Sequence, residues 1–208
     1  DVDDHEYWAC KTAIEMQDKL AILREGWQRE GDRWPEIVHN MQNRIGISSG
    51  QMVTGNMGSE ARMNYTMMGD NVNTAARLES SAKQYGIYIQ IADSTYQAVK
   101  EKVVVRDLDN VRVLGKNEPV KVWELISEVG QEPDQYKKIL PAYHEALDLY
   151  KNQEWSKAIE AFKASDELEE MFGGRKTNPS RIYIPRCEHY QENPPGEDWD
   201  GVWTLTSK

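Results

Sequence analysis

Apolar positions along residues 4–125 switch between helical and extended spacing. Apolar side chains recur mostly three or four positions apart in residues 4–27, which predicts an amphipathic helix. Residues 44–48 predict a short strand, and residues 62–68 form an extended run that breaks at Gly69-Asp70 and continues as a helix. Four further runs of β-forming residues predict strands, at 87–91, 103–105, 111–113 and 120–125. This alternation is typical of a mixed α/β or α+β domain.

The pattern is purely helical in the last third of the chain. Two amphipathic stripes, at 143–150 and 155–162, predict a helical pair that resembles one tetratricopeptide unit. A third helix is expected near 179–190, followed by a tail whose two tryptophans dock on a surface. The expected organisation, read from these patterns, is a sheet-and-helix domain, a linker and a tetratricopeptide-like helical extension, at 1–128, 129–136 and 137–208.

Composition restricts the class of protein. A net charge of −10 argues against a general nucleic-acid binder, because neutralising phosphates requires clustered Lys and Arg. No apolar run approaches the ~20 residues of a membrane span, and the acidic start at Asp1 is unlike a signal peptide. Cys10 and Cys187 lie far apart and lack metal-ligand spacing, so we expect reduced thiols in a cytoplasmic protein.

The helix that follows Gly69 carries the candidate chemistry. Asp70 is a candidate N-cap, with a side-chain oxygen for the free N–H groups of the first turn. Asn73 and Arg77 stand four residues apart and therefore project from one helix face. An amide beside a guanidinium suits a phosphate. On residue types alone the alternative is a solvated face with an ion pair to Glu79 or another carboxylate.

The run around this helix resembles the signature of the class III nucleotidyl cyclases. Residues 62–79 read RMNYTMMGDNVNTAARLE, against a family pattern of Tyr-Thr-x-x-Gly-Asp-x-Val-Asn-x-Ala-Ala-Arg-Leu-Glu. Matching glycine-containing elements lie on both sides, at 44–50, 55–59 and 113–116. The resemblance covers roughly residues 1–126 and implies an α+β fold, the ferredoxin-like cyclase domain with its first strands missing.

The resemblance also implies an activity and roles for four residues. Class III cyclases convert a nucleoside triphosphate to a 3′,5′-cyclic monophosphate and pyrophosphate. A side chain at the position of Thr66 contributes to the choice between adenine and guanine. Asn73 would hold the ribose, Arg77 the α-phosphate and Lys116 the terminal phosphates. Family members with Thr at the first of these positions are generally adenylate cyclases, so the resemblance favours ATP, with guanylate cyclase as the alternative.

The family uses two Mg²⁺ or Mn²⁺ ions, held by two aspartates that precede the helix opening this chain. No Asp here lies in either context, so we expect no metal ligands in this chain, an N-terminally truncated catalytic domain and no activity alone. The family also implies a homodimer whose sites lie between catalytic domains, and membrane attachment only through upstream parts. A catalytically degenerate cyclase-homology module and a tetratricopeptide-type interaction protein are further alternatives.

Overall fold

A five-stranded mixed sheet forms the centre of the molecule in the computed structural model, which describes residues 2–112, 120–169, 175–196 and 198–204. In chain order its strands are β1 (Ile45–Ile47), β4 (Ile89–Ala92), β5 (Val103–Arg112), β6 (Val120–Glu128) and β7 (Trp203–Thr204). Their order across the sheet is β1-β4-β6-β5-β7, with β1–β4 and β5–β7 parallel and the other pairs antiparallel. Within the described residues β1 has no neighbour on its outer edge.

A separate antiparallel hairpin is formed by β2 (Val53–Ser59) and β3 (Arg62–Met68). Seven α-helices and one short 3-10 helix, Gly31–Arg33, complete the described fold. The α-helices are α1 (His5–Arg29), α2 (Glu36–His39), α3 (Asp70–Tyr85), α4 (Asp93–Val99), α5 (Tyr136–Lys151), α6 (Trp155–Leu168) and α7 (Pro179–Glu192). The predicted α+β class is therefore confirmed.

Opposite faces of the sheet pack on different helices because side chains alternate along a strand. Ile89 and Ile91 of β4 join a buried cluster with Cys10 and Ala13 of α1, while Ala92 joins a second cluster with α3. The predicted helix at 4–27 and the helix after Gly69 are thus both present, one on each face of the sheet.

The predicted strands at 103–105 and 111–113 are wrong as separate elements. Residues 103–112 form one strand, β5, which keeps its pairing with β6 through register shifts at Val104/Val105 and Asp107/Asp109. The irregularities displace the alternation of side chains, which explains why the sequence pattern breaks in the middle of the strand. The predicted glycine-containing element at 113–116 lies outside the described residues.

The three C-terminal helices share one aromatic core. Tyr143, Tyr150, Phe162 and Tyr183 are buried in it, and the rings of Phe162 and Tyr183 stack with centroids 4.9 Å apart. Trp199 and Trp203 pack against the same cluster. The chain then returns to the central sheet, where β7 pairs with β5. The likeness of α5 and α6 to a tetratricopeptide unit stays a prediction.

Two ion pairs of opposite polarity attach the C-terminal helices to β5. Arg106 of β5 is fully buried and contacts Glu124 of β6 and Glu169, which follows α6. Three positions further along β5, Asp109 accepts a hydrogen bond of 2.7 Å from Arg186 of α7. Because both pairs are buried, separating the helices from the sheet would leave uncompensated charges, which is strongly unfavourable.

Candidate functional site

The site is built on the turn from β3 into α3. Gly69 has φ +153° and ψ 165°, a backbone conformation that L side chains rarely adopt, and it caps the N-terminus of α3. The predicted N-cap, Asp70, is wrong by one position, because Asp70 is the first residue of the helix itself. A carboxylate in the first turn still interacts favourably with the helix dipole.

Gly46 of β1 allows α3 to lie directly on the sheet. A Cβ atom at Gly46 would stand 2.2 Å from the carbonyl oxygen of Ala75 and 2.5 Å from the amide nitrogen of Glu79. Both contacts are to helix backbone, which a rotamer change does not relieve. The glycine of the 44–50 element therefore fixes the depth at which the middle of α3 sits on β1.

Asn71 fixes the first turn of α3, a role that the sequence analysis missed. Its side-chain oxygen accepts a hydrogen bond of 3.2 Å from the Ser48 hydroxyl, and its amide nitrogen donates one of 3.3 Å to the Gln51 carbonyl. Gly50 makes room for this side chain, since a Cβ there would lie 2.1 Å from the Asn71 amide nitrogen. Position 71 falls on a variable position of the family pattern, so the motif carried no signal for it.

Asn73 and Arg77 are both exposed, one turn apart on α3. Neither side chain forms a hydrogen bond or ion pair with any described residue. The structure does not contain the alternative ion pair between Arg77 and Glu79. Instead, Oε1 of Glu79 lies 3.5 Å from Nε of Arg44. An unpaired guanidinium keeps its donors available for a phosphate, in the forked geometry that phosphate oxygens match.

Thr66 lies on the exposed β2–β3 hairpin, opposite Gly55. Within the described part of the chain no hydrogen bond joins it to Asn73 or Arg77, so the three side chains share the β3–α3 unit without direct contact. Lys116 lies outside the described residues.

The same hairpin presents an unusual amount of apolar surface. Tyr65 is 74% exposed and Val53 66% exposed, and four methionines of the hairpin region are also exposed, at 52, 63, 67 and 68. Large apolar side chains exposed together on one hairpin indicate an interaction surface. A groove of about 720 Å³ lies nearby, between α1, the free edge of β1 and α3.

The far end of α3 is held by a buried hydrogen-bond network. The hydroxyl of Tyr85, the last residue of the helix, donates to Asp109, which also accepts from Arg186. Burial, and next the negative charge of Asp109, raises the pKa of Tyr85 well above its ordinary value, so the hydroxyl remains a donor. Nothing in the sequence pattern pointed to this contact.

A sequence model of the family described as adenylate and guanylate cyclase catalytic domain matches residues 1–127. The chain belongs to this family. The matched range contains the hairpin, α3 and all strands of the sheet except β7 and the last residue of β6. The resemblance seen in the signature run is therefore confirmed.

Curated relatives of this cyclase domain include several named adenylate cyclases. The terminal-differentiation specific adenylate cyclase of Dictyostelium discoideum is 34% identical over 183 residues, covering 86% of this chain and 8% of the relative. The adenylate cyclase of Anabaena cylindrica is 38% identical over 120 residues, covering 56% of this chain and 24% of the relative. The chain thus spans less than a quarter of either relative. The first alignment is longer than the family match and so extends into the C-terminal helices.

Solved cyclase structures also match this chain. The adenylyl cyclase CyaB from P. aeruginosa is 30% identical, with a TM-score of 0.47 and 58% of each chain covered. The guanylyl cyclase Cya2 is 33% identical, with a TM-score of 0.34 and 39% of this chain and 41% of the other covered.

In the described residues of this cyclase domain, no three His, Cys, Asp or Glu side chains are grouped so as to hold a metal ion. The acidic cluster at the N-terminus does not supply such a group, since Asp4 pairs with Lys102 at 2.9 Å and His5 with Glu6 at 3.1 Å. No described helix is long and apolar enough to span a membrane.

Proposed function

We propose that this chain is part of an adenylate cyclase that converts ATP to 3′,5′-cyclic AMP and pyrophosphate in intracellular signalling. The observation that carries the proposal is the pair Asn73 and Arg77, exposed and unpaired on α3, within the cyclase signature run. The named adenylate cyclases among the relatives support the choice of reaction.

Each residue of the pair has a distinct role in the proposed reaction. The ribose 3′-hydroxyl attacks the α-phosphate: a new P–O bond forms, the bond to the departing pyrophosphate breaks, and the hydroxyl proton is released to solvent. Arg77 stabilises the charge that develops on the α-phosphate oxygens, because its guanidinium donates along two parallel directions. Asn73 holds the ribose so that the 3′-oxygen stands in line. Loss of one such donor commonly costs ~10²–10³ in rate.

Thr66 is proposed to contact the purine, and Lys116 the terminal phosphates. The Thr hydroxyl accepts from the adenine amino group, but it is equally able to donate to the guanine carbonyl. Base choice therefore does not follow from Thr66 alone, and a guanylate cyclase is the second candidate, which the guanylyl cyclases among the matching structures support.

The Mg²⁺ or Mn²⁺ ions of the family would be held by aspartates outside this chain, which is why we propose that the chain has no turnover alone. The free edge of β1 and the groove of about 720 Å³ beside it are the proposed docking place for the strands that carry those aspartates. An unpaired strand edge beside apolar surface is a template for additional strands.

A homodimer through the catalytic domain is proposed to complete each site, with Asn73 and Arg77 from one protomer and the metal aspartates from its partner. The exposed apolar surface of the β2–β3 hairpin supports this assembly. We further propose a cytoplasmic location, membrane attachment only through upstream parts of the protein, and no nucleic-acid partner. The proposed boundaries of catalytic part, linker and extension are 1–128, 129–136 and 137–208.

The test is cyclic AMP production from ATP with Mn²⁺. It compares this chain alone with the chain extended at its N-terminus by the segment that carries the two aspartates. We expect no turnover from the chain alone and turnover from the extended chain, reduced ~10²–10³-fold by Arg77→Ala. Arg29→Ala, at an exposed arginine of α1, serves as the matched control and keeps full activity.

The other outcomes separate the rival functions. Turnover by the chain alone would contradict the external metal ligands. Faster turnover of GTP than of ATP would favour the guanylate cyclase. Silence of the extended chain would favour a degenerate cyclase-homology module.

A further inference from the structure

A second cavity, of about 210 Å³, lies away from the signature face, between the C-terminal end of α3 and the segment that precedes α7. Among the described residues its lining contains four cationic side chains and no carboxylate: Arg44, Lys83, Arg175 and Lys176. This is unusual in a chain with 35 acidic and 25 basic residues. The four cations come from three elements that are distant in sequence, so the fold brings them together.

The charges of the two arginines are partly neutralised by carboxylates that lie outside the cavity lining. Nη2 of Arg175 lies 2.9 Å from the buried Glu169, and Nε of Arg44 lies 3.5 Å from Glu79. Both nitrogens are buried, and neither reaches a hydrogen-bond partner of good geometry. Their carboxylate partners do not line the cavity, whereas the arginines themselves do.

The two lysines have no such compensation. Lys83 and Lys176 are exposed and form no ion pair with any described residue. Lys83 stands in the last turn of α3, where the helix dipole favours a cation. That effect accounts for one lysine and leaves Lys176 unexplained. Four like charges around one cavity repel each other, and a bound anion would convert this repulsion into attraction.

The wall between the lysines is rigid. Gly86, with φ +65°, ends α3 and stands so close to the Thr177 carbonyl oxygen that a Cβ would come within 2.0 Å of it. Nε of Arg175 donates to the same carbonyl at 3.1 Å. The backbones of the two chain segments that bear the lysines are therefore in close contact beside the cavity.

We propose that this cavity is a binding site for a small phosphate-bearing anion with two or more negative charges, separate from the nucleotide site. Two lysine ammonium groups supply the donors for phosphate oxygens, and the two partly neutralised arginines add positive charge to the lining. The volume is below the ~300–1,000 Å³ of sites for drug-sized ligands, which suits a compact anion. The bound anion would bridge α3 and the C-terminal helices.

Inorganic pyrophosphate is the probe, titrated into the chain at low ionic strength and followed by calorimetry and by amide shifts of Gly86 and Thr177. We expect the Kd to rise at least tenfold in the variant K83A/K176A and to be restored by K83R/K176R. The control K100A/K138A removes two exposed lysines elsewhere and leaves the Kd unchanged.

Three outcomes would overturn the site. If Arg77→Ala abolished pyrophosphate binding and K83A/K176A left it unchanged, the anion would bind at the proposed nucleotide site instead. Equal weakening by K83A/K176A and the control would mean that net charge alone attracts the anion. Citrate binding as tightly as pyrophosphate would contradict the phosphate class. No outcome depends on cyclase turnover, so a failure here is distinguishable from a failure of the proposed function.

Discussion

Tyr85 and Asp109 are joined by a hydrogen bond of 2.5 Å in which the tyrosine hydroxyl donates to the buried carboxylate. Tyr85 ends the helix that bears Asn73 and Arg77, and Asp109 also receives Arg186 from the C-terminal helices at 2.7 Å. One carboxylate therefore connects the sheet, the candidate catalytic helix and the extension.

Tyr85→Phe tests this connection. A hydrogen bond to a charged acceptor contributes about 1.5–3 kcal/mol, so we expect the free energy of unfolding in urea to fall by that amount. Tyr96→Phe is the control, because the Tyr96 ring stacks on Trp123 while its hydroxyl donates to no described residue. An unchanged free energy of unfolding in Tyr85→Phe would mean that the hydrogen bond is not formed in solution.

Gly46→Ala tests the close approach of α3 to β1. The new Cβ would meet helix backbone at 2.2 Å, so α3 must shift, and overpacking of this kind costs about 1–3 kcal/mol in the free energy of unfolding. Gly55→Ala is the matched control, since a Cβ there meets nothing within 4 Å. Equal urea midpoints for the two variants would contradict the contact.

The burial of His144 in α5 leads us to expect that folding stability depends on pH. Burial lowers the pKa of His144 despite the opposing charge of Asp107, with smaller contributions from Arg106, Asp148 and Lys151. Since the folded state favours the neutral ring, its stabilising contribution is complete above the unfolded pKa of about 6.5. It is lost as the pH falls towards the folded pKa.

Urea unfolding of the wild type and of His144→Gln between pH 7.5 and 5.5 measures this effect. We expect a flatter pH dependence in the variant over that window. Identical slopes in the two proteins would assign the pH dependence to other groups.

The burial of the two cysteines predicts how many thiols react before and after denaturation. Cys10 and Cys187 are free and fully buried, and burial raises the pKa of each thiol to about 12. Thiolate is the reactive form, so Ellman's reagent at pH 8 should find no reactive thiol in the native chain and two after denaturation. Rapid labelling of one thiol under native conditions would show that its cluster opens locally.

The part of the fold that sequence predicts best is the part with strong periodicity or a dense motif. The helix at 4–27 and the turn at Gly69 follow from local pattern, and the structure has both. β7 was missed because two residues carry no period, and its pairing depends on the packing of neighbouring aromatic side chains. Asn71, Asp109 and Arg186 were missed because their partners lie far away in sequence.

The pairing of β7 with β5 has a consequence for how the protein is made. β5 acquires its second neighbouring strand only when residues 203–204 have been synthesised. Arg106 and Asp109 likewise gain their partners Glu169 and Arg186 only when those later residues have emerged from the ribosome. Long-range pairing of this kind is slow and leaves strand edges exposed. The sheet is therefore expected to be completed late, only after residues 203–204 have left the ribosome.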